Sequence, residues 1–577
     1  MTTNETIILE LIDSQPKTKA KFDDARRKIC GKMKIQQPSN RDLLKSYQKM
    51  LKKKSVKQDK VFETFLRKAD IRTLSGIAIV TSLVKPYACP GKCVYCPTEK
   101  RMPKSYIASE PAAARALGLK FDPFEQMQKR ILMLQANGHP TDKIEYIIKG
   151  GTWNAYPLKY QYWFILESFK ACNQLSSKHR NIKTLKYKLT PNSSLEELQE
   201  ALETEQRKNE KAKYRIIGLT LETRPDAIVP KTIYHMRKQG CTRIELGLQA
   251  PDDKILELVK RGHTVQEFRE AMALLRQAGF KVDLHFMPDL PGTTAEHDVE
   301  MYKLLFSDPG LCPDMVKIYP NTVIPSAELY QWYKQGKYKS YGGEKLFSAL
   351  LEMKLATPRY CRISRLIRDI PANEIKDGNM ITNLRENLKK ELEKRGQKCL
   401  CLRCREISRQ TKGLSKNTKP KLFVDKYETT GGTEYFLSFE DSKRKALYAF
   451  LRLRIPRLLP SGWSLPGVAK RRLAGQAQFN QVEEKIKELY DLMPEIKNCA
   501  FIRELHTYGQ LLEIGKSDKK ASQHKGMGKK LLIEAEKISK KNDFKKVAVI
   551  SGVGVRGYYK KNGYRKIGTY MVKHINI

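Results

Sequence analysis

The stretch that decides the fold is Cys89-Pro90-Gly91-Lys92-Cys93-Val94-Tyr95-Cys96, in which three cysteines follow the spacing C-x3-C-x2-C. Three thiolates can hold three irons of a cubane 4Fe-4S cluster and leave the fourth iron open to another ligand. They do not complete the tetrahedral ligand set of a structural zinc ion. A zinc knuckle with a remote fourth ligand, or thiols that bind nothing, are the alternative interpretations.

An aromatic residue, Tyr95, directly precedes the last cysteine of this stretch. The arrangement resembles the signature of the radical S-adenosylmethionine (SAM) superfamily. The resemblance implies that Cys89, Cys93 and Cys96 bind a 4Fe-4S cluster. It also implies that the open iron chelates the amino and carboxylate groups of SAM, and that Tyr95 lies near the adenine.

The chain has 577 residues, which is too long for one hydrophobic core and predicts about three domains. No apolar run approaches the length of about 20 residues that a membrane span needs. The first residues resemble neither a secretion signal nor a transit peptide, so we expect a cytoplasmic protein. Six of the 12 cysteines lie in two short groups, which in a reducing compartment indicates metal ligands.

The formal net charge is +46, from 109 basic and 63 acidic residues. A compositional bias of the genome is one explanation. A nucleic acid partner is the other, because lysines and arginines bind phosphates and release counterions. Residues 1–75 are predicted to form a basic, helical, tRNA-binding segment, for example the lysine-rich helix around residues 41–51. A merely solvated helix face is the alternative.

Strand and helix patterns alternate through residues 76–390, which predicts an α/β fold with a parallel sheet: a radical SAM, partial TIM-type barrel. Ligand sites in such barrels lie at the carboxyl ends of the strands. The candidate cofactor-binding residues there are Gly150, Gly151, Thr152, Glu222, Arg224 and Gln249. Any one of them alone would more often be a turn, a cap or a salt bridge.

A second group of cysteines, Cys399, Cys401 and Cys404, lies in the predicted zinc-binding linker, residues 391–420. Thiolates at this spacing can bind one ion. Cys312 is the predicted fourth ligand, with a histidine or another cysteine as the alternative. A second iron–sulfur cluster, or thiols without a ligand, are the other interpretations.

Residues 421–577 are predicted to be a GNAT acetyltransferase-like α+β domain. The segment from Gln523 to Gly528 fits Q/R-x-x-G-x-G/A, the pyrophosphate loop of GNAT acetyltransferases, because its glycines bare backbone N–H groups at the start of a helix. The predicted acetyl-CoA-binding residues of this loop and helix are Gln523, Lys525, Gly526, Met527, Gly528 and Lys529.

These two halves in this order resemble the catalytic subunit of Elongator, the tRNA wobble-uridine modifying enzyme. The motifs that carry the resemblance are Cys93–Pro97, Gly150–Thr152, Glu222–Asp226, Arg261–Val265 and Met287–Pro291 in the first half, and Glu504–His506, Val549–Arg556 and Tyr570–Lys573 in the second. The gap between the first two cysteines is wider in eukaryotic members. The tight spacing here looks more like bacterial or archaeal ones.

The resemblance implies that a SAM-derived 5′-deoxyadenosyl radical activates the methyl group of acetyl-CoA, which adds to C5 of the wobble uridine and leaves a carboxymethyl group after hydrolysis. It implies that Lys143 meets the acetyl-CoA, and that Lys281, Tyr558 and Tyr559 lie near the reacting groups. The residues implied to line the acetyl-CoA groove are Glu504, Leu505, His506, Thr507, Met527, Gly528, Lys529 and Tyr559.

The expected partners are the anticodon stem-loop of tRNA and either Elongator-like subunits or a second copy of the chain, with no membrane. A protein lysine acetyltransferase with a structural iron–sulfur cluster is the competing function. A non-catalytic RNA-binding scaffold is a third possibility, against which the intact cysteines and glycine loop argue.

Overall fold

The computed structural model describes residues 1–68, 70–176, 189–410, 419–457, 474–508 and 526–575. The N-terminal segment is helical, as predicted. Its helices share their own apolar core, which includes Ile7, Phe22 and Tyr47. They are α1 (Thr3–Asp13), α2 (Lys19–Lys32), α3 (Asn40–Lys52) and α4 (Lys60–Leu66).

A parallel sheet follows, in the spatial order β1-β2-β3-β4-β5-β6-β8, with helices on its outer face. This is the half-barrel predicted from the sequence. Its strands are β1 (Ala78–Leu83), β2 (Lys143–Lys149), β3 (Arg215–Thr223), β4 (Arg243–Gln249), β5 (Lys281–Phe286), β6 (Met315–Ile318) and β8 (Arg362–Arg365); β7 (Thr322–Val323) pairs with β9 (Asp377–Gly378). Its helices are α5 (Pro111–Gly118), α6 (Pro123–Ala136), α7 (Leu158–Ser176), α8 (Leu195–Asn209), α9 (Pro230–Lys238), α10 (Asp253–Leu258), α11 (Val265–Gln277), α12 (Ala295–Ser307), α13 (Leu329–Lys334), α14 (Gly343–Ala356), α15 (Leu384–Lys394) and α16 (Leu402–Arg405).

Alternate side chains of each barrel strand face the helices and the interior. On β2, Tyr146 points outward and bonds Ser168 of α7 at 2.8 Å. Lys149 points inward, and its Nζ lies 3.2 Å from Oε2 of Glu245 on β4. The outer residues of β1 and β2 are buried and mostly apolar, whereas the inner ones include lysine and glutamate. The barrel interior therefore contains charged groups that pair between strands, such as Lys149 with Glu245.

The C-terminal half forms a second sheet, in the order β10-β11-β12-β13-β14-β16-β15. The antiparallel strands and the long helix after Gly526 are as predicted. Strand β13 pairs with β14 only through residues 500–502, and the two strands diverge beyond Ile502. The elements are β10 (Lys421–Thr429), β11 (Gly432–Glu440), β12 (Leu447–Pro456), α17 (Ala474–Leu492), β13 (Ala500–Thr507), α18 (Met527–Lys541), β14 (Lys546–Val549), α19 (Arg556–Lys560), β15 (Arg565–Ile567) and β16 (Tyr570–His574).

The second sheet lies against the amino-terminal end of the barrel. Arg503 of β13 donates from Nη1 to the carbonyl of Phe280, at 2.7 Å, and also bonds the carboxylate of Asp314. A Cβ on Gly552 would lie 1.9 Å from the carbonyl oxygen of Ile217 in β3, so this contact requires glycine. The two halves therefore share a buried, charged interface. No helix within the described ranges is both long and apolar enough to cross a membrane.

Candidate radical and acyl sites

The first cysteine group lies in the loop after β1, at the carboxyl end of the sheet. Arg261 donates from Nη1 to Sγ of Cys93 at 3.5 Å. Burial raises the pKa of Cys93, but the charge and hydrogen bond of Arg261, the hydrogen bond with Tyr95 and the charge of Arg224 together outweigh burial, so the pKa is lowered overall. Burial, together with the neighbouring Cys93, raises the pKa of Cys96 to about 12. The site therefore favours a thiolate at Cys93, the form that binds iron.

The two cysteine groups differ in how closely their sulfurs approach. Among the described residues, Cys399, Cys401 and Cys404 place their Sγ atoms within 4.8 Å of one another, whereas the first group does not meet that spacing. Zn–S bonds of about 2.3 Å hold the thiolates of one zinc about 4 Å apart, but a cubane distributes three thiolates over three irons. The second group thus has the close spacing that one shared ion needs, whereas the sulfurs of the first group are further apart.

Gly91 and Arg224 fix the cysteine loop on the end of β3. A Cβ on Gly91 would lie 2.4 Å from Nη1 of Arg224. The same guanidinium is held by Asp226, at 2.9 Å from Nε, and by the carbonyl of Gly262, at 3.0 Å. Its Nη1 is buried without a hydrogen-bond partner. A buried cationic donor beside the cysteines suits an anionic ligand there.

The glycine pair after β2 faces the same loop. Gly150 and Gly151 have φ values of +140° and +87°, and a Cβ on Gly150 would lie 2.2 Å from Val84. Only glycine fits this turn. The hydroxyl of Thr152 lies 3.7 Å from Sγ of Cys89. The structure therefore brings Gly150, Gly151 and Thr152 beside the cysteine loop.

Gln249 and Glu222 occupy the neighbouring strand ends. Gln249 adopts a φ of +78°, and its amide lies beside Gly247, where a Cβ would approach it to 2.7 Å. Glu222 accepts a hydrogen bond from the hydroxyl of Tyr106 at 2.9 Å. The sheet-edge residues singled out in the sequence thus converge on the carboxyl end of the barrel.

A charged group inside the barrel was missed by sequence reasoning. His285 lies 4.0 Å from Glu222 and 3.6 Å from Glu245, while Lys149 and Lys317 both contact Glu245. Burial raises the pKa of Glu245, but the two lysines outweigh it, so the pKa is lowered. Burial lowers the pKa of His285. The alternation of charged and apolar residues along β4 and β5 was the available signal.

The thiol group at residues 399–404 lies against β8. Hydrogen bonds from the thiols of Cys399 and Cys404 lower the pKa of Cys401. The structure places the thiol of Cys312, the predicted fourth ligand, outside this sulfur group, 3.4 Å from the carbonyl of Asp308. The carbonyl of Cys361 accepts a hydrogen bond from the N–H of Leu402 at 2.9 Å. Burial, and in smaller part the neighbouring Cys401, raises the pKa of the Cys361 thiol.

The acyl-binding residues predicted in the second half lie where β13 and β14 diverge. This stretch, Glu504–Thr507, continues β13 beyond its last pair with β14. Gly526, with φ +90°, is the N-cap of α18, and a Cβ on Gly528 would lie 2.7 Å from the hydroxyl of Tyr558 and 3.6 Å from Thr507. Met527 and Tyr559 are buried, and Lys529 is exposed. Gln523 and Lys525 lie outside the described residues.

Lys143 and Lys281 begin β2 and β5, at the end of the barrel that faces this opening. Nζ of Lys281 donates to Oε1 of Glu504 at 3.4 Å, and Nε of Arg452 donates to Oε2 at 2.9 Å. Burial raises the pKa of Glu504, but Lys281 and Arg452 lower it well below its ordinary value. The ion pair of Lys281 and Glu504 thus connects the amino-terminal end of the barrel to the place where β13 and β14 diverge.

Comparison with protein families agrees with this architecture. A model of the radical SAM superfamily matches residues 83–305, and a model of the radical SAM C-terminal domain matches residues 313–394. Fold and cysteine loop together define a radical SAM protein, and this class implies a 4Fe-4S cluster and SAM.

Similarity to known proteins extends over nearly the whole chain. The tRNA uridine(34) acetyltransferase of Methanocaldococcus jannaschii is 40% identical over 552 residues, 94% of this chain and 91% of that protein. Elongator complex protein 3 of Danio rerio is 34% identical, over 88% of this chain and 86% of its own length. The solved structure of N-terminally truncated Methanocaldococcus infernus Elp3 superposes with a TM-score of 0.67 at 37% identity, over 87% of this chain and 100% of that chain. The chain belongs to the family of tRNA uridine(34) acetyltransferases and Elongator complex protein 3.

Proposed function

We propose that this protein carboxymethylates C5 of the wobble uridine of tRNA, with acetyl-CoA as the source of the two-carbon unit and SAM as the source of a 5′-deoxyadenosyl radical. The relatives named tRNA uridine(34) acetyltransferase support the substrate. The observation that carries the chemistry is the contact between Lys281 and Glu504, which joins the mouth of a radical SAM barrel to the opening of a GNAT-like sheet.

A 4Fe-4S cluster on Cys89, Cys93 and Cys96, when bound, supplies the electron that cleaves SAM. Arg261 stabilises the Cys93 thiolate. The backbone of Gly150 and Gly151, with Thr152, receives the amino end of SAM. Glu222, Arg224 and Gln249 complete the pocket with charged and amide groups that orient the rest of the molecule.

Acetyl-CoA binds in the second half. The start of α18, at Gly526, Met527 and Gly528, directs backbone N–H groups and the positive end of the helix dipole at the pyrophosphate. Gln523, Lys525 and Lys529 complete that anion site. The segment Glu504–Thr507, with Tyr558 and Tyr559, lines the groove for the arm that carries the acetyl group.

In the overall reaction the acetyl methyl group gives up one hydrogen atom and its carbon bonds to uridine C5. The 5′-deoxyadenosyl radical takes up that hydrogen atom and becomes 5′-deoxyadenosine. The C5 hydrogen leaves as a proton and one electron, and this electron balances the one consumed when SAM is cleaved to methionine and the radical, so the overall reaction needs no net oxidant or reductant. Water then cleaves the thioester into a carboxylate and free CoA. Lys143 and Lys281, at the barrel mouth, lie near the acyl group on this path and attract its carbonyl oxygen.

The remaining segments serve binding and stability in this proposal. Residues 1–75 carry 19 basic and 9 acidic residues and bind the phosphates of the anticodon stem-loop. Residues 76–390 form the radical SAM domain, and residues 421–577 the GNAT domain. Zinc bound by Cys399, Cys401 and Cys404 stabilises the packing of the linker, residues 391–420, against β8. Elongator-like subunits or a second copy of the chain are the proposed protein partners.

The test is an anaerobic reaction of the reconstituted protein with tRNA, SAM and acetyl-CoA labelled with ¹³C at both acetyl carbons, followed by mass spectrometry of the nucleosides. We expect carboxymethyluridine that carries both labels, and none with Cys93→Ala. Label that appears only on protein lysines would instead identify a lysine acetyltransferase and contradict the proposal.

A further inference from the structure

The inner face of β1 and β2 exposes apolar side chains. Ile79 pairs with Glu145, and Thr81 pairs with Ile147, so these residues share the inward face defined by Lys149. Ile79 is nevertheless 47% exposed, and Thr81 and Ile147 are only half-buried. We call the inner face formed by Ile79, Thr81 and Ile147 the β1–β2 trough.

The opposite inner wall is closed. Thr220 on β3, Asp283 on β5 and Lys317 on β6 are buried, with at most 4% of their surface exposed. Lys317 forms an ion pair with Glu245 on β4, which also contacts Lys149 on β2. Compared with these three residues, the inner side chains Ile79, Thr81 and Ile147 on β1 and β2 are the more exposed ones.

The ends of the trough coincide with the two proposed sites. Its amino-terminal end, at Lys143 and Ile79, lies at the barrel end that the second sheet covers through Glu504 and Gly552. Its carboxyl end runs into Lys149 and Gly150, beside Thr152 and Cys89. A molecule held by the second sheet could reach the cysteine loop by lying along the trough.

We propose that the β1–β2 trough binds the pantetheine arm of acetyl-CoA and carries its acetyl group through the barrel interior from the second sheet to the cysteine loop. The inference rests on the proposed function and adds the route. The arm alternates alkyl segments with two amides, which suits isoleucine side chains interspersed with a threonine hydroxyl. It is neutral, so it enters the barrel interior without the cost of burying a charge.

The lengths agree. Strand β2 spans seven residues, Lys143–Lys149, which at about 3.3 Å per residue is about 20 Å. The pantetheine chain has the backbone length of about four residues, which is about 14 Å when extended. An arm that starts near Glu504 and enters past Lys143 therefore covers most of the strand.

The first test is protection from alkylation. In the anaerobically reconstituted Ile79→Cys protein with tRNA, we expect saturating acetyl-CoA to slow modification of Cys at this position by N-ethylmaleimide several-fold, as measured by peptide mass spectrometry. Leu132→Cys is the matched control, because Leu132 is a similarly exposed apolar residue, 45%, on the outer helix α6. Its alkylation rate should not change.

The second test blocks the route. Ile79→Trp fills the trough, and we expect carboxymethylation to fall about 100-fold, the typical cost of misplacing a reacting group. Acetyl-CoA affinity and SAM cleavage without product should persist, and Leu132→Trp should retain full activity. If acetyl-CoA binds but does not protect Ile79→Cys, or if Ile79→Trp keeps full activity, the proposed route is wrong, while the proposed function still stands. Failure of the wild-type protein to bind acetyl-CoA overturns the proposed function as well.

Discussion

Lys281 of the barrel and Glu504 of the second sheet form a largely buried ion pair across the interface of the two halves, with Nζ and Oε1 3.4 Å apart. Arg452 holds the other carboxylate oxygen at 2.9 Å. The carboxylate thus links three strands, β5, β12 and β13, at the place where the acyl site opens toward the barrel.

Replacing Glu504 should be costly because it leaves Lys281 and Arg452 without their shared anion. We expect Glu504→Gln to lower the free energy of unfolding by about 3 kcal/mol, as for the loss of one partner from a buried pair. Glu428→Gln is the control, because Glu428 and Arg457 form an exposed pair worth less than about 1 kcal/mol. Equal effects in denaturant unfolding would show that the Glu504 contact is weak.

The same carboxylate predicts a pH dependence. Because the folded-state pKa of Glu504 is lowered, its contribution is fully present above the unfolded pKa of about 4.3 and is lost as the pH falls through the folded pKa. The stability difference between wild type and Glu504→Gln should therefore be constant from pH 8 to about pH 5 and shrink below about pH 4. A difference that grows as the pH falls would contradict this assignment.

A substitution at Gly552 tests the packing of the second sheet against the barrel. A Cβ there meets the carbonyl oxygen of Ile217 at 1.9 Å, whereas a Cβ on Gly557 meets nothing within 4 Å. We expect Gly552→Ala to destabilise the protein by about 1–3 kcal/mol through overpacking. Gly557→Ala, in helix α19, should be neutral or slightly stabilising. Matching melting temperatures for the two variants would argue against this interface.

Gly91 tests the cysteine loop in the same way. A Cβ on Gly91 meets Nη1 of Arg224 at 2.4 Å, whereas one on Gly118, in α5, meets no atom within 4 Å. Gly91→Ala should shift the loop and reduce the iron bound after reconstitution, measured by elemental analysis. Gly118→Ala should keep the wild-type iron content. If Gly91→Ala binds as much iron as the wild-type protein, the guanidinium of Arg224 can move away from the new Cβ, and this contact does not fix the loop.

The second thiol group predicts a separate metal. Cys401→Ala should remove about one zinc per chain and leave the iron content unchanged, because the two cysteine groups are distinct. Cys312→Ala should keep the zinc, since its thiol contacts the carbonyls of Phe306 and Asp308. If Cys312→Ala loses the zinc, Cys312 is a zinc ligand after all, which would contradict this prediction.

Parts of this picture could be predicted from the sequence because they are local. The cysteine spacing, the apolar strand runs and the glycines before α18 each lie within a few residues of one another. The alternation along β4 and β5 predicts charged side chains on one face, but the contacts within the His285 group do not follow from the sequence, because its members come from strands β2 to β6 and meet only across the barrel interior. The position of Cys312 outside the sulfur group could not be predicted for the same reason. This residue precedes β6, whereas the thiol group packs beside Cys361, which precedes the adjacent β8.

The central claim is that the acetyl methyl group and the SAM-derived radical meet. The direct measurement uses acetyl-CoA with a CD₃ group in an anaerobic reaction with tRNA, and mass spectrometry of the 5′-deoxyadenosine formed. The account predicts that 5′-deoxyadenosine gains one deuterium and that the uridine product keeps two. Unlabelled 5′-deoxyadenosine alongside modified uridine would contradict it.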